Sequence, residues 1–229
     1  MEKHAFAALF ALPLLAAGTL YAEEFDVEYR ADSLKLPDAV GFRRSYQIKE
    51  PEEPGFCGVA PNSDGVTVLH LDNRGTGPSE FPKFFYVFKS DLRQITIDFK
   101  VRITDPESKT WQFQVSAVLP DPSRERNRLA LVAISRDRIR TNMGDGVPYR
   151  IGKKFHSFRL LLDVESNRFE LYDLDSGKLV IGGKAMNADP KGVVNSFMFG
   201  DGSSTVRGVA EVVEVRAAAN KLLRPTGKR

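Results

Sequence analysis

Two aspartates, Asp173 and Asp175, stand two residues apart in Phe169-Glu170-Leu171-Tyr172-Asp173-Leu174-Asp175-Ser176-Gly177. On a strand they would share one face, about 6.6–6.8 Å apart, a separation that suits paired-carboxylate chemistry on a sugar. Their place at a turn favours a solvated hairpin end instead, and Glu170, three residues before Asp173, falls on the opposite face. Gln112, Gln114, His156, Arg159 and Tyr172 sit in stretches of alternating polarity and carry amide, imidazole, guanidinium and phenol groups of the kind that bind sugar hydroxyls and ring faces. Each also reads as a sheet residue that simply meets water. Arg136, Arg138 and Arg140 would share a face on a strand, and their guanidinium forks suit sulfate, carboxylate or phosphate. The competing reading of that run is a charged edge that discourages aggregation. Trp111 alternates in phase with Phe113 and Val115 and therefore reads as core.

Other chemistries find less support. The histidines are His4, His70 and His156, and none has a partner at metal-ligand spacing. Asp173-Leu174-Asp175-Ser176-Gly177 opens like a calcium loop but lacks the third oxygen ligand and the closing Glu. No phosphate-cradling loop or nucleophile elbow occurs. Cys57, the one cysteine, excludes an intrachain disulfide, and its neighbours Phe56, Gly58 and Val59 point to an inert thiol.

The chain has 229 residues, 42% hydrophobic and 28% charged, with 18 Gly and 13 Pro, which excludes collagen, a coiled coil and wholesale disorder. Its formal charge of +3 gives no ground for a nucleic-acid partner, and its aromatics alternate as core rather than as a stacking platform. Lys3 and His4 precede an apolar run from Ala5 to Leu20, and Ala22 stands before Glu23-Glu24, the layout of an export signal cleaved after Ala22. The run is about 16 residues and contains Pro13, short of the ~20 that span a bilayer. The expectation is a periplasmic or extracellular protein with no stable membrane insertion after cleavage, the placement a lone cysteine also suits.

Period two then dominates. Ile95-Thr96-Ile97-Asp98-Phe99-Lys100-Val101-Arg102-Ile103 alternates without error, as does Trp111-Gln112-Phe113-Gln114-Val115-Ser116. Asp105-Pro106-Glu107-Ser108 between them reads as the turn of an antiparallel hairpin. Further strands are expected at Val66 to Leu71, Phe84 to Phe88, Leu129 to Ser135, Phe155 to Asp163, Phe169 to Leu174, Lys178 to Ile181, Val193 to Phe199 and Arg207 to Arg216. Asp64-Gly65, Gly144-Asp145-Gly146 and Asp175-Ser176-Gly177 mark reversals. With no composition break, these features predict residues 23–219 as one all-β domain, a two-sheet antiparallel β-sandwich of jelly-roll type, followed by a frayed basic tail over 220–229.

The order of motifs resembles the concanavalin A-like (laminin G-like) domains of exported bacterial proteins. Tyr29-Arg30-Ala31-Asp32-Ser33-Leu34, Val40-Gly41-Phe42 and Gly65 to Leu69 resemble their opening strands. Phe155-His156-Ser157-Phe158-Arg159-Leu160, the Phe169 to Leu179 hairpin and the Phe199-Gly200-Asp201-Gly202 turn resemble later ones. That superfamily includes sugar-binding modules, glycan hydrolases and lyases, and it often carries a calcium ion, for which Asp201 is the candidate ligand here; no other cofactor is expected. Fold alone does not choose among these activities. The acid-bearing Glu-x-Asp-x-Glu strand of the family's glucanases is missing, which weighs against catalysis. The leading expectation is a noncatalytic carbohydrate-binding module with a glycan partner. A hydrolase or lyase with loop-borne acids, and a structural or protein-interaction domain of the cell envelope, remain the alternatives.

Overall fold

The computed structural model describes residues 25–44, 57–72, 82–104, 111–118, 128–141, 144–185, 194–200 and 208–225. The expected leader, the Asp105–Ser108 turn and Asp201 lie outside these residues. Alternation makes strands almost throughout: β1 (Val27–Arg30), β2 (Arg43–Arg44), β3 (Cys57–Pro61), β4 (Thr67–Asp72), β5 (Lys83–Val87), β6 (Gln94–Ile103), β7 (Phe113–Val118), β8 (Arg128–Ile134), β9 (Arg138–Thr141), β10 (Gly144–Pro148), β11 (His156–Asp163), β12 (Arg168–Asp173), β13 (Lys178–Ala185), β14 (Ser196–Gly200) and β15 (Val209–Ala219). Among the described residues the helical turns are two short 3-10 segments, Ala31–Ser33 and Pro37–Val40, and no helix is long and apolar enough to cross a membrane.

The strands form two antiparallel sheets. Sheet A runs β13-β12-β11-β6-β15-β4-β3, with β1 also paired to β15, and sheet B runs β10-β9-β8-β7-β14-β5-β2. Their inner faces make a shared core in which Phe99 of sheet A meets Phe113 of sheet B at 5.6 Å and Tyr29 of sheet A meets Phe199 of sheet B at 6.2 Å. Cys57 is buried in the same core. The all-β sandwich expected from the alternation is therefore the observed fold.

One pairing differs from expectation. β6 and β7 do not form a hairpin: β6 pairs with β11 and β15 in sheet A, whereas β7 pairs with β8 and β14 in sheet B. Alternation reports that a strand has one buried face but not which neighbour it joins. The two strands pack core to core instead of edge to edge.

The outer face of sheet A carries the second difference. Thr96 and Asp98 of β6 alternate as a polar face, yet both are buried. Asp98 Oδ1 accepts Arg159 Nε at 2.7 Å, and its Oδ2 accepts Arg159 Nη2 at 2.8 Å and Arg216 Nη2 at 3.0 Å. The described part of the tail then closes over this network. Arg159 Nη1 donates to the Leu223 carbonyl at 2.7 Å, Leu223 N–H donates to Thr96 Oγ1 at 3.0 Å, and Thr96 Oγ1 donates to the Lys221 carbonyl at 2.8 Å. Asn220 adds a bond to the Gln94 carbonyl, and Arg224 pairs with Glu170. Residues 220–225 are thus laid along the sheet and do not fray. Composition marked the segment as basic, but its backbone bonds to a strand far away in sequence leave no local signal.

Candidate functional site

The predicted sugar-binding residues fall on both sheets. Gln112 and Gln114 lie on or just before β7 in sheet B, 1% and 0% exposed, so neither presents its amide to solvent. The Gln112 side chain lies flat over Gly208, where a Cβ would come within 2.5 Å of its Nε2. His156, Arg159 and Tyr172 belong to β11 and β12 in sheet A. Arg159 is committed to Asp98, Tyr172 donates its hydroxyl to Glu170 Oε2 at 3.0 Å, and His156 Nε2 lies 2.6 Å from the Ile151 carbonyl oxygen. The crossover from β6 to β7 separates the two groups, so the five do not form one surface.

Arg136, Arg138 and Arg140 are all exposed, but Arg136 sits in the turn between β8 and β9 while Arg138 and Arg140 share a face of β9. Trp111, expected in the core, is half-buried ahead of β7 with the Arg140 guanidinium 5.3 Å from its ring centre. β7 starts only at Phe113, so the in-phase reading of Trp111 fails two residues before the strand begins.

Asp173 and Asp175 are a hairpin end, as their turn position suggested. Asp173 accepts the Tyr149 hydroxyl at 2.9 Å, the Ser176 hydroxyl at 2.6 Å and the backbone N–H of Asp175 at 2.9 Å. Burial works to raise its carboxyl pKa, and the Ser176 and Tyr149 hydrogen bonds outweigh burial and leave it below the ordinary value. A carboxyl depressed on folding stabilises fully above its unfolded value of about 3.9 and loses that contribution as pH falls through the lower folded value. Asp173→Asn is therefore expected to flatten the acid limb of the stability curve below about pH 4, measured as thermal midpoint against pH. An unchanged acid limb would contradict the assignment.

A polar cleft opens at another place, which the sequence did not single out. Its volume is about 500 Å³ and its lining is Ser63, Asp64, Arg102, Ile103, Thr104, Lys153 and Glu211. Four segments build it. The β3–β4 turn is fixed by Asn62, whose Oδ1 accepts the N–H groups of Asp64 at 2.9 Å and Val66 at 3.0 Å, while Gly65 supplies the left-handed residue at φ +76°. This turn holds Ser63 and Asp64 over the end of β6. Arg102 and Glu211 are register partners on β6 and β15, and Lys153 comes from the loop before β11.

Arg102 organises the floor. Its Nε donates to Glu211 Oε2 at 2.8 Å, its Nη2 lies 2.6 Å from the same oxygen, and its Nη1 pairs with Asp64. Asn62 Nδ2 adds a bond to Glu211 Oε2 at 3.0 Å, and the half-buried Phe155 ring lies 4.7 Å from the guanidinium carbon. Burial opposes the Arg102 charge, but the bonds from Asp64 and Glu211 more than offset it and raise its pKa further. Two carboxylates, two cations, two hydroxyls and a nearby ring thus converge on one opening. Among the described residues, no three His, Cys, Asp or Glu side chains group as a metal site.

No family model matches this chain, and no curated protein matches it. Solved structures do. A sialidase aligns at TM-score 0.59 with 12% identity, covering 84% of this chain and 18% of its own, so the chain spans under a fifth of that protein's length. The carbohydrate esterase vb_24B_21 of the Shiga toxin-encoding bacteriophage phi24B aligns at TM-score 0.58 with 8% identity over 86% of this chain and 99% of its own. The cellulose-induced protein Cip1 aligns at TM-score 0.56 with 9% identity over the same shares. At these identities the likeness is one of fold, a β-sandwich.

Proposed function

We propose that this chain is an exported, noncatalytic glycan-binding module of the concanavalin A-like kind, and that a sugar binds in the Arg102 cleft. The observation that carries the reading is the convergence of Ser63, Asp64, Arg102, Thr104, Lys153 and Glu211 on one opening of about 500 Å³, within the range of small-molecule sites. Carboxylates accept from sugar hydroxyls, while Lys153 and the hydroxyls of Ser63 and Thr104 donate. The cleft leaves the sugar partly in water, which favours modest affinity. The fold neighbours whose names concern carbohydrates, the sialidase and the phage esterase, support the same class of ligand. Export is supported by the apolar run from Ala5 to Leu20.

Asp64 and Glu211 share the cleft, and two carboxylates in one groove favour the second reading, a glycoside hydrolase. Acid–base hydrolysis, however, needs one carboxyl placed to give its proton to the leaving group, and Arg102 engages both of these side chains. Screening the chain against a glycan array, with parallel assay of released reducing ends, separates the readings. Binding without product supports the module, product supports the hydrolase, and neither would overturn both.

A further inference from the structure

Two register rows cross β15, β6, β11 and β12 on the outer face of sheet A: Ala218, Thr96, Leu161 and Glu170 in one, Arg216, Asp98, Arg159 and Tyr172 in the next. Thr96, Asp98, Arg159 and Leu161 are at most 3% exposed there, and residues 221–225 lie over them. The chain turns off β15 at Asn220, which takes a left-handed φ of +54° and accepts the Arg93 N–H on its Oδ1 at 2.8 Å. Beyond that anchor the segment makes a tight bond of its own, Arg224 N–H to the Leu222 carbonyl at 3.1 Å, and its remaining backbone groups meet side chains of the sheet. Thr96 donates to the Lys221 carbonyl and accepts the Leu223 N–H, Arg159 donates to the Leu223 carbonyl, and Glu170 pairs with Arg224. The fit is loose. Leu222 and Leu223 stay half-buried, and a cavity of about 70 Å³ lies between Leu222 and Arg224 of the segment and Leu161, Phe169 and Glu170 of the sheet.

We infer that this face is a peptide-binding site, occupied in the free protein by the chain's own residues 221–225, and that its ligand is a segment of another protein carrying bulky apolar residues followed by an arginine. The bonds of the resident segment define that chemistry. Thr96 and Arg159 read two backbone carbonyls and one N–H, which any sequence supplies, while Glu170 reads a guanidinium and the cavity leaves room for a larger apolar side chain. A second copy would bring the same segment, already satisfied by its own sheet, and would gain no bond by exchange; a different protein can. The tethered segment competes at an effective concentration in the millimolar range, so the site is closed to dilute ligands and opens in proportion to the segment's release. The sugar-binding cleft is separate: Thr96 and Arg102 are six residues apart on β6, which is about 20 Å along a strand.

The test uses the full chain and a labelled, end-capped peptide with the sequence of residues 219–225, followed by fluorescence anisotropy. L223P/R224E removes the N–H that Thr96 accepts and reverses the charge that Glu170 meets, and both changes lie in the segment rather than in the site. This variant should be cleaved by trypsin after Lys221 roughly tenfold faster than the unaltered chain and should bind the peptide roughly tenfold more tightly. Adding T96V or E170Q to it should weaken the peptide about fivefold, and a peptide with Glu in place of its Arg should bind as weakly, thermal unfolding confirming that each variant is folded. Faster cleavage without peptide binding overturns the inference. So does equal binding by the variant and the unaltered chain, or a variant that is neither cleaved faster nor bound. Sedimentation showing dimers of the unaltered chain that L223P/R224E does not form would make the occupant a second copy and would also overturn it.

Discussion

Asp98→Ala is expected to lower the unfolding free energy by about 3–5 kcal/mol, the loss typical of breaking a buried ion pair from one side. For a domain of this size that is a fall of about 10 °C in thermal midpoint. Asp98 is 2% exposed and Arg159 3%, so removing the carboxylate leaves the Arg159 guanidinium buried, with its bond to the Leu223 carbonyl but without the two bonds to Asp98. The harm comes from stranding a charge more than from losing an attraction. Two further variants separate these causes. Asp98→Asn keeps the shape and one acceptor and should fall between wild type and Ala. Asp98→Leu combined with Arg159→Leu should recover much of the loss, because neither charge then stays buried. Residues 220–225, which hang on the same network, should become more open to proteolysis in Asp98→Ala. A midpoint within 2 °C of wild type would contradict the account of this face.

The second large effect is expected at Arg102. Arg102→Gln removes the guanidinium that satisfies the buried Glu211 and leaves Asn62 Nδ2 as its remaining described partner. A cost of about 2–3 kcal/mol follows from the lost charge-assisted bonds. Asp64 is largely exposed and can turn to water, so the β3–β4 turn, fixed by Asn62, should keep its shape. Glycan affinity should fall at least tenfold, since Asp64 and Glu211 lose the guanidinium that positions them on the floor of the cleft. Arg102→Lys keeps the charge without the fork, so it should restore part of the stability and little of the binding. Calorimetric titration beside thermal unfolding reads both effects. Full affinity in Arg102→Gln would contradict the site.

Much of the fold was legible in the alternation. Ile95 to Ile103 and Phe113 to Ser116 each announce one buried face, and the turns at Asp64-Gly65 and Asp175-Ser176-Gly177 stand where expected. Pairing was not legible, because a strand's two faces say nothing about which edge it shares, and so β6 and β7 were joined in expectation and separated in fact. The site was less legible for a related reason. Asp64, Arg102, Lys153 and Glu211 lie on four segments spread over 148 positions of the chain, and each alone looks like an ordinary solvated charge. The available signal was the placement of Arg102 at the end of the longest alternating run, next to a turn. Gln112, Gln114 and Arg159 had suitable chemistry, but burial decides whether such groups meet a ligand, and burial on an outer face depends on what covers the sheet. Arg159 is covered by the chain's own residues 220–225.

The central claim, that the Arg102 cleft receives a sugar, is tested most directly by amide chemical-shift mapping with a glycan-array hit added in steps. The account predicts saturable shifts confined to Ser63, Asp64, Thr104, Lys153, Glu211 and their chain neighbours. Shifts centred on the outer face of sheet B, around Gln114, Ser116 and Met198, with the Arg102 cleft unmoved, would contradict it.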